Sequence, residues 1–456
     1  MSDTSRKIPQ ALNLAYGVKQ IPIATPDMTE DELRDVVVAF MKLQITFAYT
    51  PRFPDRKSYS YYIKNITKHY GFEGSKIVFE EGKYYGGTPY MGNAAGCLYR
   101  WLPFYDAETG EMDWSPILRT RRLNWKHKDT VYPDVASAVF GNSCSSTCFW
   151  SWARITGHMG STWSYDWIPA NGFLPVGDYA LTPEGTHGPQ TKQLCDENGK
   201  EVMFKAYAKT KRADGFVRTG HAVLSVVDPV VVYNEDGSIN GEKSHVFIAE
   251  QKADFLTDAP DKGGVDLASP LNDQGDTYRI MGNYWGTKVN GGAGVNMEWS
   301  FDHLFEKGFL PFTVPELCGK VPVEAPEITF SYAGTTISPE VLRAQTITAN
   351  YYISDTHLSV FDSNGREAYN AMHAPAVTDR FAKELYTGMY AKMTTSPAQL
   401  KTVALEDALF ENVLYEEKNA IWQQLQQYAD GNHTLKISCR LSNGQLLAVY
   451  EGTLVQ

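Results

Sequence analysis

Residues 143–155, SCSSTCFWSWARI, form the stretch around which the fold of this chain is predicted to be organised. Ser143 is a candidate N-cap, and Gly157 follows the segment as a stop signal. Helical spacing places Cys148, Trp152 and Ile155 on one face. The sequence therefore predicts a short, largely apolar helix that begins at Cys144.

Further predicted elements lie on both sides of this helix. Downstream, His221–Val227 (HAVLSVV) and His245–Glu250 (HVFIAE) are typical of β-strands, and a polar, Gly-containing turn region separates them. Upstream, residues 28–43 (MTEDELRDVVVAFMKL) have the apolar spacing of an amphipathic helix, with Thr29 as its N-cap. The sequence thus predicts helices packed together with a pair of neighbouring strands.

The start of the central helix suits a nucleophile. At Cys144, unpaired backbone N–H groups and the positive end of the helix dipole favour thiolate over thiol. His221, at the start of an apolar strand, is a candidate base for that thiolate. Glu250 and Gln251 end the next strand on opposite faces, so one of them can orient the imidazole. A carboxylate would also stabilise an imidazolium, which favours Glu250 over Gln251.

Composition excludes some classes of partner. The 456 residues include 42 Lys and Arg against 53 Asp and Glu, a formal net charge of −11. An acidic chain without basic runs is a poor phosphate-backbone binder, so no nucleic-acid partner is expected. The six cysteines include no closely spaced zinc-type pair, and the Gly-rich residues 84–96 lack a phosphate-binding pattern. No metal or cofactor is therefore expected.

The sequence as it stands predicts neither a transmembrane segment nor a secretory signal. No window approaches about 18 consecutive apolar residues, and the first 20 residues lack the pattern of a secretory signal. No transmembrane segment is expected. Localisation stays open between the cytoplasm and, after removal of a signal or non-standard export, the cell envelope or the extracellular space. The oligomeric state is open as well.

The C-terminal third is predicted to form a separate β-rich unit. A proline-flanked linker occupies residues 321–328 (VPVEAPEI), and the segments beyond it alternate like the strands of a sandwich. A helical insert is predicted over Asp407–Tyr428. We therefore expect two domains, residues 1–324 with an N-terminal helical part and residues 325–456 as an immunoglobulin-like β-sandwich.

The order of the motifs resembles that of the NlpC/P60 and CHAP cysteine peptidases, which share a papain-like core. The similarity covers about residues 80–255. It rests on four segments in order, GTPYMGN (87–93), NSCSS (142–146), TGHAVLSV (219–226) and HVFIAEQ (245–251). Ser143 stands where the NlpC/P60 branch has an acidic residue, and Lys252 stands where the CHAP branch has asparagine. The connections between the motifs are long, which indicates a divergent member with insertions around its cleft.

The resemblance implies an α+β fold with a papain-like core and a cysteine peptidase or amidase activity on peptides, typically fragments of peptidoglycan. Cys144 would attack an amide carbonyl, His221 would protonate the leaving amine, and Glu250 would orient His221. The backbone N–H of Cys144 and the hydroxyl of Tyr90 would stabilise the oxyanion. The family chemistry requires no metal.

Aromatic residues, which include 27 Tyr and 10 Trp, are concentrated around the expected nucleophile. In the segment WSYDWIPANGF, Trp163, Tyr165 and Trp167 are candidate walls of the cleft, where they would stack on a sugar or a peptide. Such a cluster is also typical of a hydrophobic core, so both interpretations are open at this point.

Two other hypotheses fit parts of the same pattern. A transglutaminase-like or acyl-transfer enzyme would use Cys144, His221 and Asp228. Against it, Asp228 follows His221 on what is predicted to be the same strand, whereas the third member of a triad is expected on a neighbouring strand. The second hypothesis is a non-catalytic surface-binding module that retains the scaffold alone.

Overall fold

The structure is a computed structural model of the chain. It describes residues 21–46, 48–53, 58–62, 76–81, 85–86, 98, 105–106, 109–113, 121–123, 131–136, 143–182, 190–251, 279–280, 283–284, 298–373, 401–405 and 420–456. Within these ranges, seven α-helices combine with several β-sheets. The fold is therefore mixed α and β, as the sequence predicts.

The α-helices of the described ranges are α1 (Glu30–Thr46), α2 (Cys144–Trp152), α3 (Gln190–Asn198), α4 (Lys200–Ala208), α5 (Phe301–Lys307), α6 (Pro339–Arg343) and α7 (Ala420–Gln426). The strands that precede α2 are β1 (Ala48–Arg52), β2 (Ser58–Tyr62), β3 (Lys76–Glu80), β4 (Tyr85–Gly86), β5 (Glu111–Asp113), β6 (Arg121–Leu123) and β7 (Val131–Ala136). Those between α2 and the predicted linker are β8 (Leu174–Pro175), β9 (Gly215–Arg218), β10 (His221–Val230), β11 (His245–Gln251), β12 (Arg279–Ile280), β13 (Asn283–Tyr284), β14 (Glu298–Ser300) and β15 (Leu310–Thr313). Those after the linker are β16 (Ile328–Phe330), β17 (Thr336–Ile337), β18 (Thr346–Ala349), β19 (Ile353–Phe361), β20 (Glu367–His373), β21 (Thr402–Ala404), β22 (His433–Leu441) and β23 (Leu446–Leu454).

A seven-stranded sheet forms the support for α2. Its order is β13-β11-β10-β9-β15-β8, and β14 also pairs with β11. The two predicted strands are confirmed as β10 and β11, and they pair in antiparallel orientation. Both extend beyond the predicted ends, to Val230 and Gln251. Strand β10 packs against α2. Its first six residues, most of them apolar, are all buried.

Helix α1 begins with the predicted cap and packs against α2. Thr29 Oγ1 accepts a hydrogen bond from the backbone N–H of Glu32 at 3.3 Å, and the Glu32 carboxylate accepts one from the Thr29 N–H at 2.8 Å. At the other end, the buried Gln44 amide donates to the Thr147 carbonyl oxygen at 3.1 Å and to Ser151 Oγ at 2.9 Å. These two bonds link α1 to the middle of α2.

Helix α2 is short and completely buried along its nine residues, Cys144–Trp152. The predicted cap is confirmed, because Ser143 forms a reciprocal capping box with the serine three residues further on. The helix ends before Ile155, the last residue of the predicted segment. Gly157 has a second role besides following the helix: a β-carbon added there would lie 2.0 Å from the Asn350 carbonyl oxygen. Only glycine permits this close approach of the C-terminal unit.

Buried apolar residues of the described ranges form two clusters. One contains residues that precede the predicted linker, together with Val323 of the linker and Tyr352, and the other contains residues between 337 and 454. The Tyr352 ring centroid lies 4.9 Å from that of Phe149 and 6.3 Å from that of Trp150, both on α2. Its hydroxyl donates to the Met159 carbonyl oxygen at 2.8 Å. Tyr352 therefore joins the C-terminal unit to the helix that carries Cys144.

The C-terminal unit contains a three-stranded sheet, β16-β18-β21, and a five-stranded sheet, β17-β23-β22-β19-β20. The segment ITANYYI (347–353) is one of those whose alternation predicts a strand. It is divided between β18 and β19, because Tyr351 and Tyr352 leave the strand and hydrogen-bond to carbonyls near the end of α2. The predicted helical insert contains α7, while residues 406–419 lie outside the described ranges. The immunoglobulin-like assignment and the boundary at residue 324 stay predictions.

A buried ion pair joins α1 to the seven-stranded sheet. Arg34 is 3% exposed and Asp214 is 1% exposed. The guanidinium donates to Asp214 Oδ1 at 2.8 Å, to the Arg212 carbonyl oxygen at 2.6 Å and to the Leu317 carbonyl oxygen at 3.2 Å. Burial raises the pKa of the Asp214 carboxyl group, and the Arg34 charge opposes this shift. The charge of Arg34 therefore stabilises the ionised form of the Asp214 carboxyl group.

We expect Arg34→Met to lower the free energy of unfolding by about 3–5 kcal/mol, because it leaves the Asp214 carboxylate buried without a cation. Urea titration followed by tryptophan fluorescence measures this loss. The control is Lys205→Met, which removes an exposed pair with Glu201 and should leave the transition in place. Equal midpoints for the two variants would show that the Arg34 pair adds nothing to stability.

Candidate active site

The structure brings Cys144, His221 and Glu250 together at one end of the β10–β11 pair. Glu250 Oε2 lies 2.5 Å from His221 Nε2, and the Cys144 thiol lies close enough to His221 for each group to shift the pKa of the other. Exposure is small for all three residues, at 6% for Cys144, 8% for His221 and 2% for Glu250. With Nε2 engaged by Glu250, Nδ1 is the ring nitrogen that is left for the sulfur.

Strand register determines which side chain can contact His221. Leu224 pairs with Ala249, so Glu250 is on the same face of the sheet as His221 and Gln251 is on the other face. Gln251 instead accepts a hydrogen bond from Thr147 Oγ1 on α2. Of the two acceptors that the sequence left open, Glu250 orients the imidazole and Gln251 anchors the helix that carries the nucleophile.

Opposing effects act on the Cys144 thiol. Burial raises its pKa, but the hydrogen bond and the positive charge of His221 outweigh burial, and the net pKa is lower than that of an ordinary cysteine. The backbone N–H groups of Ser145 and Ala222 also lower this pKa by hydrogen-bonding to the sulfur. For Cys148, one turn further along α2, no imidazole offsets burial, which raises the pKa of its thiol well above the ordinary value. Of these two thiols, only that of Cys144 has a pKa lower than that of an ordinary cysteine.

The pKa of His221 shifts in the opposite direction, upwards. Burial lowers its pKa, but hydrogen bonds to Cys144 and Glu250, together with their negative charges, raise it overall to about 9. At neutral pH the imidazole is therefore protonated when the sulfur is ionised. Together, the two shifts favour a thiolate–imidazolium pair, the reactive form of a cysteine nucleophile.

The first predicted oxyanion donor, the backbone N–H of Cys144, lies at the start of α2. Within the described ranges no acceptor bonds to the backbone N–H of Cys144, whereas the N–H groups of Ser146 and Thr147 both donate to Ser143. A free N–H beside the sulfur is suitably placed for an oxyanion that forms on the attacked carbonyl. The second predicted donor, the Tyr90 hydroxyl, lies outside the described residues.

A tight turn places a further residue beside the imidazole. Arg218 and His221 are paired across the β9–β10 hairpin, and Thr219 and Gly220 form its two-residue turn. Gly220 has φ of +72°, a left-handed conformation that favours glycine. The sequence had not singled out Arg218, although the two residues ending in glycine between apolar runs are a hairpin signal that could have identified its position.

The three predicted cleft aromatics separate into two groups. Trp163 and Tyr165 are half-buried, with ring centroids 6.1 Å apart. A β-carbon on Gly220 would lie 3.4 Å from the Tyr165 hydroxyl oxygen, so this side chain is adjacent to the strand that carries the imidazole. Trp167 is fully buried, with its ring 4.8 Å from that of Trp152. Of the two interpretations that the sequence left open, the hydrophobic core is the one that fits Trp167, because this ring has no exposed surface.

Asp228 lies away from His221. Its side chain is 57% exposed, accepts a hydrogen bond from the Arg212 backbone N–H at 2.8 Å and lies 3.5 Å from the Arg212 guanidinium. It follows His221 by seven positions along β10. The pairing of His221 with Asp228, which the transglutaminase-like hypothesis requires, is therefore not present. Glu250 is the carboxylate in contact with the imidazole.

Comparison of the chain with protein-family models, with curated proteins and with solved structures finds no match. In the described ranges, no helix is long and apolar enough to cross a membrane. The same ranges contain no group of three or more His, Cys, Asp or Glu side chains arranged to hold a metal ion.

Proposed function

We propose that this protein is a cysteine-nucleophile amide hydrolase. The observation that carries the proposal is the buried contact series from Cys144 through His221 to Glu250, in which the pKa of the thiol is lowered and that of the imidazole is raised. A structural cysteine in an apolar core has no reason to be paired with an imidazole that a carboxylate holds in place. Fragments of bacterial cell-wall peptide are the proposed substrates, because the order of the motifs resembles that of peptidases acting on them.

The first half of the reaction forms a thioester. The Cys144 thiolate attacks the amide carbonyl carbon, a C–S bond forms, and the carbonyl oxygen becomes an oxyanion held by the Cys144 N–H. The His221 imidazolium then donates its proton to the amide nitrogen. The C–N bond breaks, the amine leaves, and the electron pair of the oxyanion restores the carbonyl.

The second half releases the acid. Neutral His221 accepts a proton from water as the water oxygen attacks the thioester carbon, and the C–S bond breaks to regenerate the thiolate. Glu250 keeps the ring in the orientation that both halves need and stabilises the imidazolium. The same thioester would yield acyl transfer if an amine, instead of water, were the acceptor.

Purified cell-wall muropeptides provide the test. Incubation with wild-type protein should give new products in the mass spectrum, with one water added for each amide cleaved, and Cys144→Ala should give none. Cys148→Ala is the matched control, since it removes a buried thiol from the same helix and should retain activity. Equal products from the wild type and Cys144→Ala would overturn the proposal. Products that carry an amine in place of water would identify acyl transfer.

A further inference from the structure

Arg218 shares an aromatic neighbour with the imidazole. The pairing of Arg218 with His221 places the two side chains on the same face of the sheet, on adjacent strands. The Arg218 guanidinium carbon lies 5.5 Å from the centroid of the Phe309 ring, and the His221 ring centroid lies 6.4 Å from the same point. Phe309 is 1% exposed. A rigid ring therefore holds the cation close to His221.

The charge of Arg218 is not neutralised within the described ranges. The guanidinium is half-buried, and its one hydrogen bond there is donated to the Thr219 carbonyl oxygen at 3.3 Å. Glu250, the carboxylate on the same face, is engaged by His221. A guanidinium presents several donors in a planar fork that matches the geometry of a carboxylate. An anionic group in the site would thus find both a positive charge and unused donors.

The strand order indicates on which side of the scissile bond this group would lie. Arg218 is on β9, which borders β10 on the side opposite β11. Glu250 is on β11 and contacts His221 from that side. Arg218 thus lies beside His221, the residue that donates a proton to the departing nitrogen, on the side away from Glu250.

We infer that Arg218 binds a carboxylate carried by the leaving amine of the substrate. The inference rests on the proposed function and makes it more specific. The preferred substrate is an amide whose amine half carries a carboxylate, as in a bond to a terminal amino acid.

Alkylation of Cys144 tests the charge directly in the intact protein. The thiolate sulfur attacks the methylene carbon of iodoacetate or iodoacetamide, a C–S bond forms and iodide leaves. Because the two reagents differ mainly in charge, the ratio of their rates reports on cations near the sulfur and cancels changes in the thiolate itself. At low ionic strength, we expect the rate with iodoacetate divided by the rate with iodoacetamide to be about tenfold lower in Arg218→Gln than in the wild type. In Arg218→Lys, this ratio should be retained.

Alanine and alaninamide, as models of the amine product, test whether Arg218 lies where the leaving amine binds. Alanine should slow the labelling of wild-type Cys144 by iodoacetamide more than alaninamide does, and this difference should disappear in Arg218→Gln. The matched control is Lys243→Gln, an exposed lysine in the turn at the far end of the β10–β11 pair. It changes the net charge equally and should leave both measurements unchanged.

The outcomes distinguish this inference from the proposed function. A reactive Cys144 with the same reagent ratio in the wild type and in Arg218→Gln would overturn the inference alone, as would equal protection by alanine and alaninamide. If Cys144 reacts no faster than the other cysteines with either reagent, the proposed function fails and the inference fails with it. Thermal unfolding of each variant shows that a lowered ratio does not arise from loss of the fold.

Discussion

Replacing His221 with glutamine is expected to lower the rate of Cys144 alkylation at pH 6 by about 100-fold or more. Burial raises the pKa of this thiol, and the imidazolium is the main group that opposes burial. Without the imidazolium, the pKa should rise above its ordinary value, so little thiolate remains in weakly acidic solution. Iodoacetamide labelling, followed by mass spectrometry of the Cys144 peptide, measures the rate.

A second histidine–carboxylate pair supplies the control. His433 Nδ1 lies 2.8 Å from Asp430 Oδ1 in the C-terminal unit, where no cysteine nucleophile is proposed. His433→Gln should leave the labelling of Cys144 unchanged. If His221→Gln retained the wild-type rate, the thiol would not be activated by the imidazole, and the non-catalytic scaffold hypothesis would be favoured.

Removing the carboxylate of Glu250 should have the second large effect. Glu250→Ala leaves the imidazole without its acceptor, and we expect turnover of muropeptides to fall roughly 100- to 1,000-fold. Glu250→Gln keeps an oxygen that can accept the Nε2–H bond but removes the negative charge that raises the pKa of His221. The smaller loss expected for this variant would separate orientation from charge.

The pH profile gives the sign of the charge effect. His221 must be protonated to donate to the leaving amine, so activity falls as the pH rises through its pKa, about 9 in the wild type. Loss of the Glu250 charge lowers this pKa, so the alkaline limb of the Glu250→Gln profile should move to lower pH. Asp228→Ala should leave the profile in place. Inactive Asp228→Ala together with fully active Glu250→Gln would contradict the assignment of the carboxylate.

Local sequence was sufficient to predict the two elements that carry the nucleophile and the base. Ser143 and the apolar run after it indicated where α2 begins, because capping and helical spacing are short-range properties. The apolar runs HAVLSVV and HVFIAE, separated by a polar turn region, indicated β10 and β11. The faces of Glu250 and Gln251 also followed from alternation, but only the strand register showed that Glu250 shares the face of His221.

Other features depend on contacts between distant segments. Phe309 lies beside Arg218 because β15 pairs with β9, and nothing local in either segment indicates this pairing. Trp163 and Trp167 belong to one aromatic segment, yet one is half-buried and the other is in the core. The break between β18 and β19 arises because Tyr352 packs on α2, and alternation along its own segment predicts an unbroken strand. Periodicity within a segment carries no information about such partners.

The contact between Tyr352 and α2 has a consequence for any shortened form of the protein. A chain ending before the C-terminal unit would expose the ring surfaces of Phe149 and Trp150 that Tyr352 covers. Newly exposed aromatic surface promotes aggregation. We therefore expect the two fragments to stay associated after proteolytic cleavage in the segment 321–328. If they are separated, we expect the N-terminal fragment to aggregate.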